Sequence, residues 1–157
     1  MQAKLAKAHN HIPIGILMKT RLLAVLTALV SASALAAPAG TLYKDPHCGC
    51  CGAHASYLRS AGYSIKEEPR SDMPAIKQQY GTDKAPSCHT LVIGGYAVEG
   101  HVPAAAIAKL LKEKPAAKGI AVPGMPANSP GMGEYKPGTI EVVLLTKDGS
   151  VKPYGKF

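Results

Sequence analysis

Three of the four cysteines in this 157-residue chain lie within four consecutive residues. The segment Cys48-Gly49-Cys50-Cys51 contains a C-x-x-C pair, which is the spacing of a dithiol redox motif. Cys50 departs from that motif, because a third adjacent thiol invites off-pathway disulfides but adds a metal ligand. At the start of a helix, exposed N–H groups and the helix dipole favour thiolates, which bind metals and attack disulfides.

The fourth cysteine, Cys88, lies 37 positions after Cys51, in the segment Pro86-Ser87-Cys88-His89-Thr90. Convergence of four thiolates predicts a metal site, and the alternative is two ordinary disulfides, one of them joining Cys88 to the triplet. Four cysteines suit Zn²⁺, but structural zinc sites use two separated cysteine pairs. Thiolate and thioether ligands select Cu(I), so the crowded sequence favours Cu(I), with bridging thiolates able to hold more than one ion.

Methionines and histidines supply candidate additional ligands. They lie in a segment rich in Pro and Gly, or directly beside a cysteine, and they are Met125, Met132, His47 and His89. We expect His54 and His101 to be surface, capping or packing residues. The sequence contains no H-E-x-x-H motif, no Gly-rich phosphate loop and no paired catalytic carboxylates, which argues against a hydrolase.

Alternating strand and helix patterns place the C-x-x-C pair where a first strand meets a first helix. Helical spacing of apolar residues continues to Ser60, and Ser71-Asp72 caps a second helix. Gly94-Gly95 predicts a hairpin turn between two later strands. The order β-α-β-α-β-β-α over residues 41–115 is typical of an α/β fold, a thioredoxin-like mixed sheet with flanking helices. The predicted elements are strand 41–44, helix 50–60, strand 63–67, helix 73–80, strands 90–93 and 96–100, and a helix that begins at Pro103.

The composition changes after residue 115. The segment 116–138 holds four prolines and two methionines and is predicted to be a loop. Residues 140–145 form a strongly apolar strand, and Asp148-Gly149 predicts a turn into a returning strand over 151–154. Residues 37–157 are therefore expected to form one domain, with a core at 41–115 and a C-terminal loop and β-hairpin at 116–157.

The N-terminal segment has the pattern of an export signal. Residues 18–36 contain basic residues, an apolar run and a small-residue end, Ala34-Leu35-Ala36, which together are typical of a secretory signal peptide. The apolar run is shorter than the roughly 20 residues of a membrane span. Residues 1–17 are interpreted as an upstream extension. We therefore expect a periplasmic protein that keeps no stable membrane span after signal cleavage.

The charge of the exported part argues against nucleic acid as a partner. The whole chain has a formal net charge of +8, but four basic and no acidic residues lie in 1–36, which leaves +4 for 37–157. That charge is ordinary for solubility and does not form a nucleic-acid footprint. Export also places the thiols in an oxidising compartment, where cysteines are paired, bound to metal or turned over by a redox partner.

Four segments together resemble the CopG-type periplasmic copper-resistance proteins, a thioredoxin-like family formerly known only as a domain of unknown function. The segments are Leu42-Tyr43-Lys44, the Cys48–Cys51 triplet, Ser87-Cys88-His89-Thr90 and Val98-Glu99-Gly100-His101-Val102-Pro103, and 124–132 is similar to the family's methionine-containing loop. The resemblance covers about 41–157. It implies copper bound by Cys48, Cys50, Cys51 and Cys88, a role in copper tolerance, and periplasmic copper-handling or redox proteins as partners.

Two rival functions remain open from the sequence. A periplasmic thiol-disulfide oxidoreductase would need only Cys48 and Cys51. A disulfide-stabilised binding module would show no free thiols and no metal uptake. The choice between copper storage, delivery and copper redox conversion, and with it any enzyme activity, stays open at this stage.

Overall fold

The computed structural model describes residues 36–157, where helices and strands alternate as the sequence predicts. The elements are β1 Ala39–Lys44, α1 Gly49–Ser60, β2 Ser64–Pro69, α2 Met73–Tyr80, β3 His89–Ile93, β4 Tyr96–Glu99, α3 Ala104–Glu113, β5 Ala117–Ala121, β6 Glu141–Thr146 and β7 Val151–Lys156. The predictions for residues 1–17 and for the signal peptide fall almost wholly outside the described residues. Within 36–157, no helix is both long and apolar enough to cross a bilayer.

One mixed sheet with the strand order β2-β1-β3-β4-β5-β6-β7 organises the described chain. β1 and β2 are parallel and are connected through α1, whereas β1 pairs antiparallel with β3, and β3 pairs antiparallel with β4. This order of strands and helices confirms the predicted thioredoxin-like α/β core. α1 lies against β2, and α2 lies against β1 and β3.

The sheet continues through a strand that the sequence analysis assigned to a loop. β5 pairs parallel with β4 and antiparallel with β6, which in turn forms the predicted C-terminal hairpin with β7. The β5 sequence AKGIA lacks clear alternation and has a single β-branched residue, so its strand state depends on its neighbours. Gly119 permits the close approach, because a Cβ there would lie 1.7 Å from the carbonyl oxygen of Ala97.

The helices present apolar stripes to the sheet. α1 buries Cys51, Ala55 and Leu58 at helical spacing, together with His54. α3 buries Ala106, Ile107 and Leu110. These apolar side chains join the central strands in one core, so the start of α1 is fixed by packing that begins at Cys51 itself.

Candidate metal centre

Cys48 is the N-cap residue of α1, so the triplet occupies the helix start as predicted. The Asp45 carboxylate accepts a hydrogen bond from the backbone N–H of His47 at 2.8 Å, and the Asp45 carbonyl accepts one from the N–H of Cys48 at 3.0 Å. These bonds form the turn that leads from β1 into the helix. The side chains of Cys50 and Cys51 follow in the first helical turn, with Cys51 fully buried and Cys50 half-buried.

Strand register carries Cys88 to the same edge of the sheet. Lys44, the last residue of β1, pairs with His89, the first residue of β3. Because the strands are antiparallel, the residue before His89 lies beside the loop that follows Lys44. Cys88 therefore meets the triplet although 37 positions separate it from Cys51.

The four sulfur atoms form a cluster in which all lie within 4.8 Å of one another. We call Cys48, Cys50, Cys51 and Cys88 the sulfur cluster. In the described state, Cys48 and Cys51 are joined by a disulfide, and Cys50 and Cys88 are free thiols. The Cys48 and Cys50 sulfurs are 3.6 Å apart. The donor set is uniformly soft, which fits a thiophilic ion such as Cu(I) once the disulfide is reduced.

A second register brings His101 to Cys88. Thr90 pairs with Glu99 across the β3–β4 hairpin, and the N–H of Gly100 donates to the carbonyl of His89 at 2.9 Å. Gly100 has a φ of +76°, and a Cβ there would lie 2.4 Å from the Ser87 hydroxyl oxygen. The glycine thus allows the chain to turn closely under the Cys88 loop and places His101 next to that sulfur.

Three fully buried imidazoles lie behind Cys88, and we call His54, His89 and His101 the histidine trio. Their ring centroids are 4.8 to 5.1 Å apart. Nδ1 of His54 and Nε2 of His89 are 2.8 Å apart, and Nε2 of His54 donates to the Val102 carbonyl at 3.0 Å. The sequence analysis expected His54 and His101 to be surface, capping or packing residues. His54 is buried against His89, whereas Nε2 of His101 lies 2.9 Å from the Cys88 sulfur.

Burial sets the protonation of this region. It lowers the pKa of His54 to about 4, with His101 adding a smaller lowering, and it lowers the pKa values of His89 and His101 as well. Burial, followed by the neighbouring Cys50, raises the pKa of Cys88 to about 11. At neutral pH the imidazoles are therefore neutral and Cys88 is a thiol, so metal binding must displace the Cys88 proton.

A buried ion pair anchors the strand ends beneath the site. The Glu99 carboxylate is fully buried and pairs with Lys77 of α2, whose side chain is 13% exposed. The same carboxylate accepts hydrogen bonds from the backbone N–H of Ser87 at 2.7 Å and from the Thr90 hydroxyl at 2.6 Å. Glu99 therefore fixes the residue directly before Cys88 and the β3–β4 register together.

The segment between β5 and β6 covers the histidine trio. The carbonyl of Pro130 accepts a hydrogen bond from Nδ1 of His101 at 2.7 Å. A Cβ on Gly131, whose φ is +81°, would lie 2.6 Å from the backbone nitrogen of His54. Met132 follows directly and is half-buried, whereas Met125 is 57% exposed.

The four additional ligand candidates differ in how deeply they are buried. His89 is fully buried, and its Nδ1 lies 3.3 Å from the Cys88 sulfur. Met132 lies in the covering segment next to Gly131. His47 and Met125 are exposed, which places them on the outside of the site.

Two residues escaped the sequence analysis because the relevant signals were weak. His54 is buried on the same helical stripe as Cys51, Ala55 and Leu58, so that periodicity was a signal that could have found it. His101 has no local signal, since its place beside Cys88 depends on the pairing of β3 with β4.

The fold and the site together define a thioredoxin-like protein with a cysteine-rich candidate metal centre. Two solved structures, "Copper resistance protein copG- Form 1" and its "Form 2", are each 39% identical to the chain at a TM-score of 0.70, covering 77% of this chain and 98% of theirs. Residues 85–132 match the family profile "Protein of unknown function, DUF411", and no curated protein sequence matches the chain. The chain belongs to the CopG-type copper-resistance family.

Proposed function

We propose that this protein is an exported copper-binding protein that acts in copper tolerance in the periplasm and holds Cu(I) through Cys48, Cys50, Cys51 and Cys88. The observation that carries the proposal is the approach of four sulfur atoms to within 4.8 Å from two distant parts of the sequence. Soft thiolates prefer Cu(I), and crowded thiolates can bridge ions, so the proposed cluster accommodates more than one copper per chain.

The disulfide in the described state adds a redox condition. Joining Cys48 to Cys51 occupies two of the four sulfurs, so full Cu(I) loading requires their reduction by two electrons and two protons. The reverse reaction couples the thiols to copper: two Cu(II) ions accept one electron each, the two thiols form the disulfide and two protons leave. The cluster is therefore suited to copper redox conversion as well as to copper holding.

Among the additional ligands, buried or covered residues are better placed than exposed ones. Nδ1 of His89 lies 3.3 Å from the Cys88 sulfur, and Met132 is half-buried in the segment that covers the histidine trio. Both residues offer donors that copper accepts. His47 and Met125 stay candidates for a copper-loaded form in which the loops close further. Periplasmic copper-handling or redox proteins are the proposed partners, because reduction of the disulfide needs an external electron donor.

A second candidate function is thiol-disulfide exchange with protein partners. The disulfide between Cys48 and Cys51 at the start of α1 favours it, because this is the position where the helix dipole stabilises an attacking thiolate. That function needs neither Cys50 nor Cys88. Cys50→Ser and Cys88→Ser variants would then keep insulin-type reductase activity, whereas the copper function requires all four cysteines.

The decisive experiment is anaerobic Cu(I) loading of the fully reduced chain against a competing chromophoric chelator. We expect tight retention with all four thiols masked from a thiol reagent. Each single Cys→Ser variant should weaken retention, and an exposed Ser56→Ala change on the same helix should not. Unchanged Cu(I) affinity in all four cysteine variants would refute the proposal.

A further inference from the structure

Cys88 faces two different sets of donors. On one side are the other three cysteines, and on the other are two imidazole nitrogens that the cysteine chemistry does not use. Nε2 of His101 lies 2.9 Å and Nδ1 of His89 lies 3.3 Å from the Cys88 sulfur. The three ligand atoms all lie within 4.8 Å of one another, so the histidine side of Cys88 is itself a compact group of metal donors.

The backbone determines which His101 nitrogen carries the proton. The Pro130 carbonyl can only accept, so the 2.7 Å contact requires a proton on Nδ1 of His101. In the neutral ring, Nε2 then carries the lone pair. That nitrogen is the one that contacts the Cys88 sulfur.

A chain of hydrogen bonds fixes His89 in the same way. The Val102 carbonyl requires the His54 proton on Nε2, which leaves Nδ1 of His54 as an acceptor. His89 must therefore donate from Nε2 to His54 across 2.8 Å. The lone pair of His89 is on Nδ1, which is again the nitrogen that contacts the Cys88 sulfur.

The spacing is close to what an ion requires. Bonds of about 2.3 Å to sulfur and about 2.0 Å to nitrogen at a tetrahedral angle separate the two ligand atoms by about 3.5 Å. The His89 contact is near this separation, and the His101 contact needs a widening of about 0.6 Å. One sulfur with two imidazoles is a ligand set that copper proteins use.

We propose that Cys88, His89 and His101 form a second site, which binds one copper ion while Cys48 and Cys51 are joined in their disulfide. We call these three residues the mixed-donor site, because they offer one sulfur and two nitrogen atoms. None of the three takes part in the disulfide, so oxidation that disables the sulfur cluster leaves the mixed-donor site complete. The two sites share Cys88, and the protein keeps at least one copper position in each redox state.

His54 is a positioning residue for this site. It is not one of the three proposed ligands. Because its Nε2 donates to the Val102 carbonyl, its Nδ1 accepts from His89, and this keeps the lone pair of His89 on Nδ1. Partners of this kind alter metal affinity by about 10- to 100-fold when removed. His54→Leu should therefore weaken binding by about that factor while leaving the set of ligand atoms unchanged.

The test uses the full, unmutated chain with its Cys48–Cys51 disulfide intact, loaded anaerobically with Cu(I) against a chromophoric chelator. X-ray absorption of the loaded sample counts the ligand atoms directly. We expect one copper per chain, with two nitrogen ligands and with sulfur from Cys88. An ion coordinated by sulfur alone, or no retained copper, would overturn the proposal.

Variants then assign the ligands. Cys88→Ser should lower the affinity of the oxidised chain by more than about 100-fold, since losing a ligand exceeds the loss of an outer partner. His101→Gln should remove one nitrogen from the X-ray absorption signal. Cys50→Ser should retain the copper with its two nitrogen ligands. Loss of copper in that variant would show that the ion binds to the two free thiols, and it would overturn the mixed-donor site.

The redox state separates this proposal from the function proposed above. A reduced chain that takes up one copper with two nitrogen ligands, and leaves Cys48, Cys50 and Cys51 open to a thiol reagent, would overturn the sulfur cluster alone. Failure of the oxidised chain to take up copper would overturn the mixed-donor site alone. The exposed Ser56→Ala variant serves as a control in both states, and because the unmutated chain carries the first test, misfolding of a histidine variant does not decide the outcome.

Discussion

The sulfur cluster and the histidine trio meet at Cys88 but are built in opposite ways. The sulfur cluster lies on a turn and a helix start, and its bonding changes with oxidation because two of its members are already joined. The histidine trio is fully buried and held by backbone carbonyls. The sulfur cluster can gain or lose a disulfide, whereas the histidine trio keeps its lone pairs in fixed positions. Cys88 therefore borders one region that changes with oxidation and one that does not.

The largest effect should come from the residue that both regions share. Cys88→Ser replaces the common sulfur and should lower Cu(I) affinity by more than about 100-fold in both the reduced and the oxidised chain. Competition titrations in the two redox states measure this, with Ser56→Ala as the control. If only one redox state is affected, the two regions do not share Cys88 as a ligand.

The next largest effect should be a loss of stability when the buried ion pair between Glu99 and Lys77 is broken. Glu99→Gln leaves Lys77 without its buried partner and weakens the bond to the Ser87 N–H, which should lower the free energy of unfolding by about 3 kcal/mol. Chemical denaturation followed by circular dichroism measures the loss. The double variant Lys77→Met/Glu99→Gln should recover much of it, and a loss of less than about 1 kcal/mol in the single variant would contradict the assigned role.

A fall in pH should lower the free energy of unfolding through the histidine trio and not through the sulfur cluster. Burial lowers the pKa of His54 in the folded chain to about 4, below the ordinary histidine value of 6.5 that applies to the unfolded chain, so the unfolded chain binds more protons between pH 4 and 6.5. Stability gained from the neutral ring is therefore present above pH 6.5 and is lost as the pH falls toward 4. The slope should reach about 1.4 kcal/mol per pH unit for this residue alone.

This acid effect is measured by denaturation of the metal-free, oxidised chain at several pH values. His54→Leu should make the curve less steep, because one of the three imidazoles with a lowered pKa is removed. A curve for the unmutated chain that is equally flat from about pH 7 to pH 4 would show that the trio is not buried in its neutral form.

The smallest effects are expected at the outside of the sulfur cluster. His47 and Met125 are exposed, so His47→Gln and Met125→Leu should each change Cu(I) affinity by less than about threefold, well below the effect of losing a ligand. The same chelator competition measures both variants. A loss of about tenfold in either would show that the exposed loops close over copper and join the coordination.

The fold was largely readable from the sequence because each core element carries its own local signal. The turn residues Gly94-Gly95, the cap at Ser71-Asp72 and the apolar stripe of α1 each indicate structure within a few positions. β5 lacks such a signal, and its strand state depends on its pairing with β4 and β6, where Gly119 lies against Ala97. Elements defined by their neighbours are the ones that local patterns miss.

The site divides in the same way. The triplet is visible as a spacing, and the approach of Cys88 follows from the expected topology. The pairing of His54 with His89 joins residues 35 positions apart, and the place of His101 depends on the pairing of Thr90 with Glu99. No spacing rule connects these histidines, so their collective role emerged only from the three-dimensional register.

The anchoring of the imidazoles at Val102 and Pro130 matters for protein engineering. Main-chain carbonyls are present whatever side chain a position carries, so the direction of both hydrogen bonds is encoded in the path of the chain. Transplanting this donor arrangement into another protein of the same architecture would require the strand ends and the covering segment, with few supporting polar side chains. The donor orientation is in this sense a transferable property of the backbone.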